Sequence, residues 1–94
     1  GYGLLKLDAG SVDGCNNVTI QNCTITLDRL NTASVGILVA NRTIASTATL
    51  TVTATSGAQS NNTFSGNTIQ NVYTGVSIVG FAATTPFTLY DQNN

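Results

Sequence analysis

The chain has 94 residues, four acidic and three basic side chains, no histidine and a formal net charge of −1. Charged residues make up 7 % of it, against about 25 % in an ordinary globular domain. Three cations (Lys6, Arg29, Arg42) are too few to neutralise a phosphate backbone or to form a polybasic membrane patch. Without histidine, every His-dependent triad and His-ligated metal site is excluded. No apolar run approaches the ~20 residues of a membrane-spanning helix. The composition therefore points away from nucleic acid and from membrane insertion.

A chain of this length makes one domain at most and hides roughly 60–65 % of its unfolded surface. It opens Gly1-Tyr2-Gly3, without an initiator Met or a signal peptide, as expected of a processed product or of a piece of a longer chain. Thr, Asn, Gly and Ser supply 43 of the 94 positions, and such a neutral polar composition suits an extracellular or cell-surface protein.

Thr, Val and Ile account for 30 residues. They lose rotamer freedom in helices and pack well on a pleated surface, so the expectation is all-β. Short runs alternate apolar with polar at period two. In chain order they are Leu5-Lys6-Leu7, Val18-Thr19-Ile20, Cys23-Thr24-Ile25-Thr26-Leu27 and Val35-Gly36-Ile37-Leu38-Val39. Then come Leu50-Thr51-Val52-Thr53-Ala54, Thr63-Phe64, Asn67-Thr68-Ile69, Val76-Ser77-Ile78 and Phe87-Thr88-Leu89. Asn, Gly and Asp separate them, and these residues tolerate the left-handed backbone of tight bends.

The sequence repeats itself. Leu5 and Leu7 fall on Leu50 and Val52 at an offset of about 45. Residues 18–25 fall on residues 62–69 at about 44, and 36–39 on 75–78 at about 39. The drift places a loop about five residues longer in the first copy, between Ile25 and Gly36. Copies of about 4–44 and 48–88 with loop-sized differences describe a stack whose turns are kept and whose loops vary.

Only Gln21-Asn22 separates two strands in the first copy, and Ser65-Gly66 in the second. A hairpin there leaves two three-residue strands. A bend near a right angle lets the chain wind on, each strand pairing in parallel one turn away, with Asn amides laddering between turns. The spacing favours winding. Asn22, Gly66, Asn67, Gly36 and Gly75 are the expected turn and ladder positions. The expected inward column is Ile20, Cys23, Ile25, Ile37, Val39, Leu50, Val52, Phe64, Ile69, Val76 and Ile78.

The segments Asn17-Val-Thr-Ile-Gln-Asn-Cys-Thr-Ile25 and Asn62-Thr-Phe-Ser-Gly-Asn-Thr-Ile69, with the Gly-hydrophobic strands at Gly36 and Gly75, resemble parallel β-helix repeats of the pectate-lyase-like type. The resemblance covers about residues 15–80 and is closest to Asn/Thr-rich versions in large secreted bacterial surface proteins exported through a C-terminal sorting signal. It implies a right-handed parallel β-helix, or β-solenoid, of about two long coils plus the start of a third. Coils of about 40 residues and the extra strand at 50–54 depart from the usual pattern. The geometry predicts open ends, so the expected neighbours are coils of the same longer chain or identical chains stacked end to end.

Candidate chemistry is sparse. Asp8 and Asp13 lack the alternate-residue spacing of a calcium loop, and Asp28-Arg29 reads as a solvated loop pair. Pectate-lyase-like enzymes use Asp clusters with Ca²⁺, and the related polygalacturonases need paired Asp, a His and an Arg-x-Lys segment. None of those patterns is present, so the expectation is no enzyme and no cofactor. Thr49, Thr51, Thr53 and Thr55 face outward if Leu50, Val52 and Ala54 face in, which makes a stripe one strand wide. Cys23 reads as a small core residue, with a Cys15–Cys23 disulfide as the alternative. The Asn-x-Thr sequons at Asn17, Asn22, Asn41 and Asn61 follow from the composition. Tyr2, Tyr73, Phe81, Phe87 and Tyr90 are loop aromatics that either stack on sugars or tuck onto the body. The expected role is a structural or adhesive rod, with surface glycans or a secretion machinery as possible partners. The alternatives are a non-catalytic piece of a carbohydrate-active β-helix enzyme and a self-assembling fibre subunit or exported cargo.

Overall fold

The computed structural model describes residues 1–7, 14–81, 91 and 94. Among them run seven strands, β1 (Tyr2–Lys6), β2 (Thr19–Gln21), β3 (Thr24–Thr26), β4 (Val35–Thr43), β5 (Thr63–Ser65), β6 (Thr68–Gln70) and β7 (Thr74–Val79). A single 3₁₀ turn at Thr55–Gly57 is the only helical element among the described residues. The chain is all-β.

Every strand pair is parallel. One sheet has the order β1-β4-β7, and two smaller sheets pair β2 with β5 and β3 with β6. Thr19 lies on Thr63 and Thr24 on Thr68, so both small sheets join residues 44 apart. In the larger sheet Tyr2 lies on Ile37 and Ile37 on Val76. The chain thus makes one pass through β2, β3 and β4 and a second through β5, β6 and β7, and β1 lies on β4 as β4 lies on β7. Hairpins at 21–22 and 65–66 are ruled out by the parallel partners.

Bends with positive φ separate the short strands. Asn17 and Asn61 both sit at φ 59°, while Asn22 at 54° is matched by Gly66 at 61°. For Asn this conformation costs less than for other L-residues, because the short amide bonds locally. Gly66 also answers a close approach: a Cβ there meets Asn22 Oδ1 at 2.5 Å. The expected amide-on-amide stack at this corner is therefore an Asn22 side chain seated over a glycine.

The core is Leu4, Ile20, Ile25, Ile37 and Val39, with Cys15, Val18, Cys23, Leu27, Phe64 and Ile69 packed around it. Each fully buried aliphatic side chain contributes about 1.5–3 kcal/mol relative to exposure. Val52 is buried as well.

Three expectations are corrected. The alternation at 5–7 runs the other way: Leu4 and Lys6 are buried and Leu7 is 89 % exposed. A shift of one residue flips every side chain to the opposite face, and Lys6 is accommodated inside because its Nζ donates to the Gly57 carbonyl. Accordingly β1 lies on β4, with Leu4 against Val39, and not in line with Leu50 and Val52. Residues 50–54 form no strand, although Leu50, Val52 and Ala54 are at least half-buried and Thr49, Thr51, Thr53 and Thr55 are exposed. Finally, Val76 and Ile78 are 49 % and 45 % exposed. They sit on β7, an edge strand, and an edge residue has packing neighbours on one side only. The strand expected at 87–89, and Asp8, Asp13, Phe87 and Tyr90, lie outside the described residues.

Candidate functional site

The most regular chemistry in the molecule is a contact made by asparagine between successive passes. Asn67 Oδ1 accepts the Cys23 N–H at 3.0 Å, and its Nδ2 donates to the Ile20 carbonyl at 2.8 Å. Asn62 does the same five residues earlier: Oδ1 takes the Val18 N–H at 2.9 Å and Nδ2 gives to the Cys15 carbonyl at 2.9 Å. Each amide therefore reads an N–H and the carbonyl three residues before it, across a left-handed corner. Asn94 repeats the contact on the second pass, accepting from the Asn62 N–H at 3.1 Å and donating to the Gln59 carbonyl at 2.7 Å.

A glycine column runs beside it. A Cβ on Gly1 meets the Gly36 carbonyl oxygen at 2.8 Å, and one on Gly36 meets that of Gly75 at 2.5 Å and Ile69 Cγ2 at 2.6 Å. At Gly75 nothing lies within 4 Å. Burial follows the same order. Ile37 and Val39 are 1 % and 0 % exposed, and their partners Val76 and Ile78 are nearly half exposed. Ile20 and Ile25 are buried, whereas Phe64 and Ile69, their partners, are half-buried.

At the opposite end, edge strand β1 keeps Leu4 buried. Tyr2 shares its parity but is exposed, and its hydroxyl donates to Cys23 Sγ at 3.7 Å. That bond raises the Tyr2 phenol above its ordinary value, because only the protonated form can donate; the nearby thiol charge and partial burial act in the same direction. Both cysteines are free. Cys23 Sγ lies 3.3 Å from the Gln21 carbonyl, and Cys15 Sγ 3.6 Å from that of Leu5.

A shallow groove of about 490 Å³ opens beside β1 and β4, lined by Tyr2, Asp28, Asn31, Ser34, Leu38 and Arg42 among others. Its wall is the longer loop of the first pass. Asp28 Oδ1 accepts the Leu30 N–H at 2.9 Å and Asn31 Oδ1 the Ala33 N–H at 3.0 Å, two Asx turns that set the loop. Arg42 donates to the carbonyls of Thr43 and Ser46. Asp28, Asn31, Ser34 and Arg42 are thus engaged with backbone, and among the described residues of the groove no nucleophile is paired with a base.

Polar residues unforeseen from the sequence fill the interior near β4. Lys6, Asn41, Gln59, Ser60 and Asn62 are all buried. Asp91 gathers this region: its carboxylate accepts the Gln59 N–H at 2.7 Å, the Asn41 amide at 2.8 Å and the Phe81 N–H at 3.1 Å. Asn41 Oδ1 and Gln59 Oε1 have no protein partner. Inward parity along Ile37, Val39 and Asn41 was the available signal for Asn41; nothing local marked Gln59 or Asp91. Among the described residues no group of three or more Cys or Asp side chains converges to hold a metal.

Of the expected positions, Asn22, Gly66 and Asn67 come together at one corner, and Gly36 and Gly75 in one column. Comparison of the chain with protein-family models, with curated proteins and with solved structures returned no match.

Proposed function

We propose that this chain is a stretch of right-handed parallel β-helix, about two coils and the start of a third, serving as a structural or adhesive module of an extracellular or cell-surface bacterial protein. The observation that carries the reading is the recurrence of one asparagine contact at two corners, between strands paired in parallel 44 residues apart. Asn94 on Asn62 supports the start of a third coil. Right-handedness is the expected sense for parallel crossovers within one sheet. The low charge and the engaged polar groups of the groove favour a scaffold over a catalyst.

A catalytic reading, distinct from the non-catalytic enzyme piece named above, would rest on the groove, which Asp28, Arg42 and exposed Tyr2 all line. One experiment separates the two. The protein is incubated with acidic and neutral polysaccharides, with and without Ca²⁺, and new chain ends are counted. Under the structural reading no new ends form, and binding to glycans, where it occurs, leaves them intact. Cleavage that disappears in Asp28→Asn sinks the structural reading.

A further inference from the structure

We propose that the end built from β5, β6 and β7 is a docking surface for one further β-coil, whose occupant is a parallel coil presenting an asparagine five residues beyond the position held by Asn94. The inference rests on the β-helix reading and adds to it a polarity and a recognition rule.

Three features mark this end. The glycine column is filled at Gly1 and Gly36 by the next carbonyl, and is open at Gly75. The inward residues are buried on the first pass and nearly half exposed at Val76 and Ile78. Strand β7 carries no charge and no proline, the devices that protect exposed edges from pairing. The asparagine contact then specifies the occupant. Asn62 and Asn67 read the first pass at two corners five residues apart. Asn94 already reads the first of these corners on the second pass, at the Asn62 N–H and the Gln59 carbonyl. The next corner in the same rhythm offers the Asn67 N–H and the Phe64 carbonyl, and an amide five residues after Asn94 reaches it.

A second copy of this chain fits less well. Its first pass presents Val18 and Cys23 at the two positions where Asn62 and Asn67 stand on the second. Neither has an amide to read the corner. Its leading end also holds Leu4, Ile20 and Ile25 already buried.

The test appends residues 63–79 of this chain directly after Asn94. Asn94 then stands where Asn62 does, and the appended copy of Asn67 falls five residues on. Amide hydrogen exchange is followed in the original and extended chains. The expected result is exchange at least about tenfold slower across β7 in the extended chain. Gly75→Val should remove that protection, since the approaching carbonyl needs the space, and leave the original chain's unfolding midpoint unchanged. Replacing the appended asparagine by Ala should remove most of it too. Unchanged β7 exchange, or protection indifferent to Gly75→Val, overturns the proposal. A concentration-dependent dimer of the original chain, seen by native mass, hands the surface to a second copy and overturns the asparagine rule. If the β2–β5 and β3–β6 amides are unprotected even in the original chain, the β-helix reading itself has failed; protection there without protection of β7 on extension sinks the docking proposal alone.

Discussion

Asn67 holds the corner before β3 from the following pass, accepting the Cys23 N–H and donating to the Ile20 carbonyl with both bonds at or below 3.0 Å. The Cys23 N–H follows the left-handed Asn22 and lies outside β2 and β3, while Ile20 belongs to β2. Removing the amide takes from the Cys23 N–H its acceptor at the rim of the core, so Asn67→Ala should cost about 1–3 kcal/mol. Asn67→Asp should be no better, because a carboxylate keeps the acceptor and sets a second oxygen against the Ile20 carbonyl. Urea unfolding of the three proteins checks the order. An Asp variant as stable as the parent would show that the Nδ2 donation contributes nothing.

The corners themselves give a second prediction. Asn22 and Gly66 occupy positive φ on successive passes. Asn22→Gly should be nearly neutral and Gly66→Ala destabilising, by about 1–2 kcal/mol for the conformation alone, and by more because the new Cβ meets Asn22 Oδ1. The double variant Asn22→Gly/Gly66→Ala removes that contact and should recover part of the loss. Thermal midpoints of the four proteins decide it, and strictly additive losses would refute the steric share.

Gly36 and Gly75 lie one above the other in β4 and β7 with opposite surroundings. A methyl at Gly36 meets backbone and the Ile69 side chain, and one at Gly75 meets nothing. Gly36→Ala should therefore cost more than about 1 kcal/mol through a forced shift of the sheet. Gly75→Ala should be neutral or stabilising by a few tenths, since Gly weakens strand interiors. Equal losses at both sites would contradict the packing described for the column.

The strands between 18 and 39 and between 63 and 78 were legible because period-two alternation and a self-repeat at 44 agree with each other. Leu5 and Leu7 misled for the same reason that alternation works. In a run of Leu4-Leu5-Lys6-Leu7 two parities are available, and the choice was made by a distant carbonyl at Gly57 that receives the Lys6 ammonium. Val52 points inward without a strand around it, because alternation reports which side of an extended chain faces apolar surface and not whether its backbone has a ladder partner. The asparagine contacts were only half visible. The alternation puts Asn67 at a corner, but its bonds to Cys23 and Ile20 depend on where the chain returns after 44 residues, which no local pattern encodes. Asp91 and Gln59 are joined across 32 residues, an interval that departs from the repeat and so left no signal.

Tyr2 and Cys23 supply a prediction in pH. The phenol hydroxyl donates to Sγ, and this bond lifts the Tyr2 pKa above its ordinary value. A group whose pKa is raised on folding adds stability while it is protonated in both states, and that contribution is lost as pH climbs past the unfolded value, about 10 for tyrosine, through the folded one. The window therefore lies on the alkaline side, and acidification should leave this contact intact. Cys23→Ala removes the acceptor, so the Tyr2 transition, read by absorbance at the phenolate band against a Tyr2→Phe control, should move down toward the ordinary value. The same substitution takes away a side chain that packs against the core cluster, so its loss of stability at neutral pH is no test of the bond. Cys23→Ser keeps an acceptor of smaller reach, and its Tyr2 transition should fall between the other two. A Tyr2 transition unmoved in Cys23→Ala would mean that the hydroxyl faces water and makes no bond to the thiol.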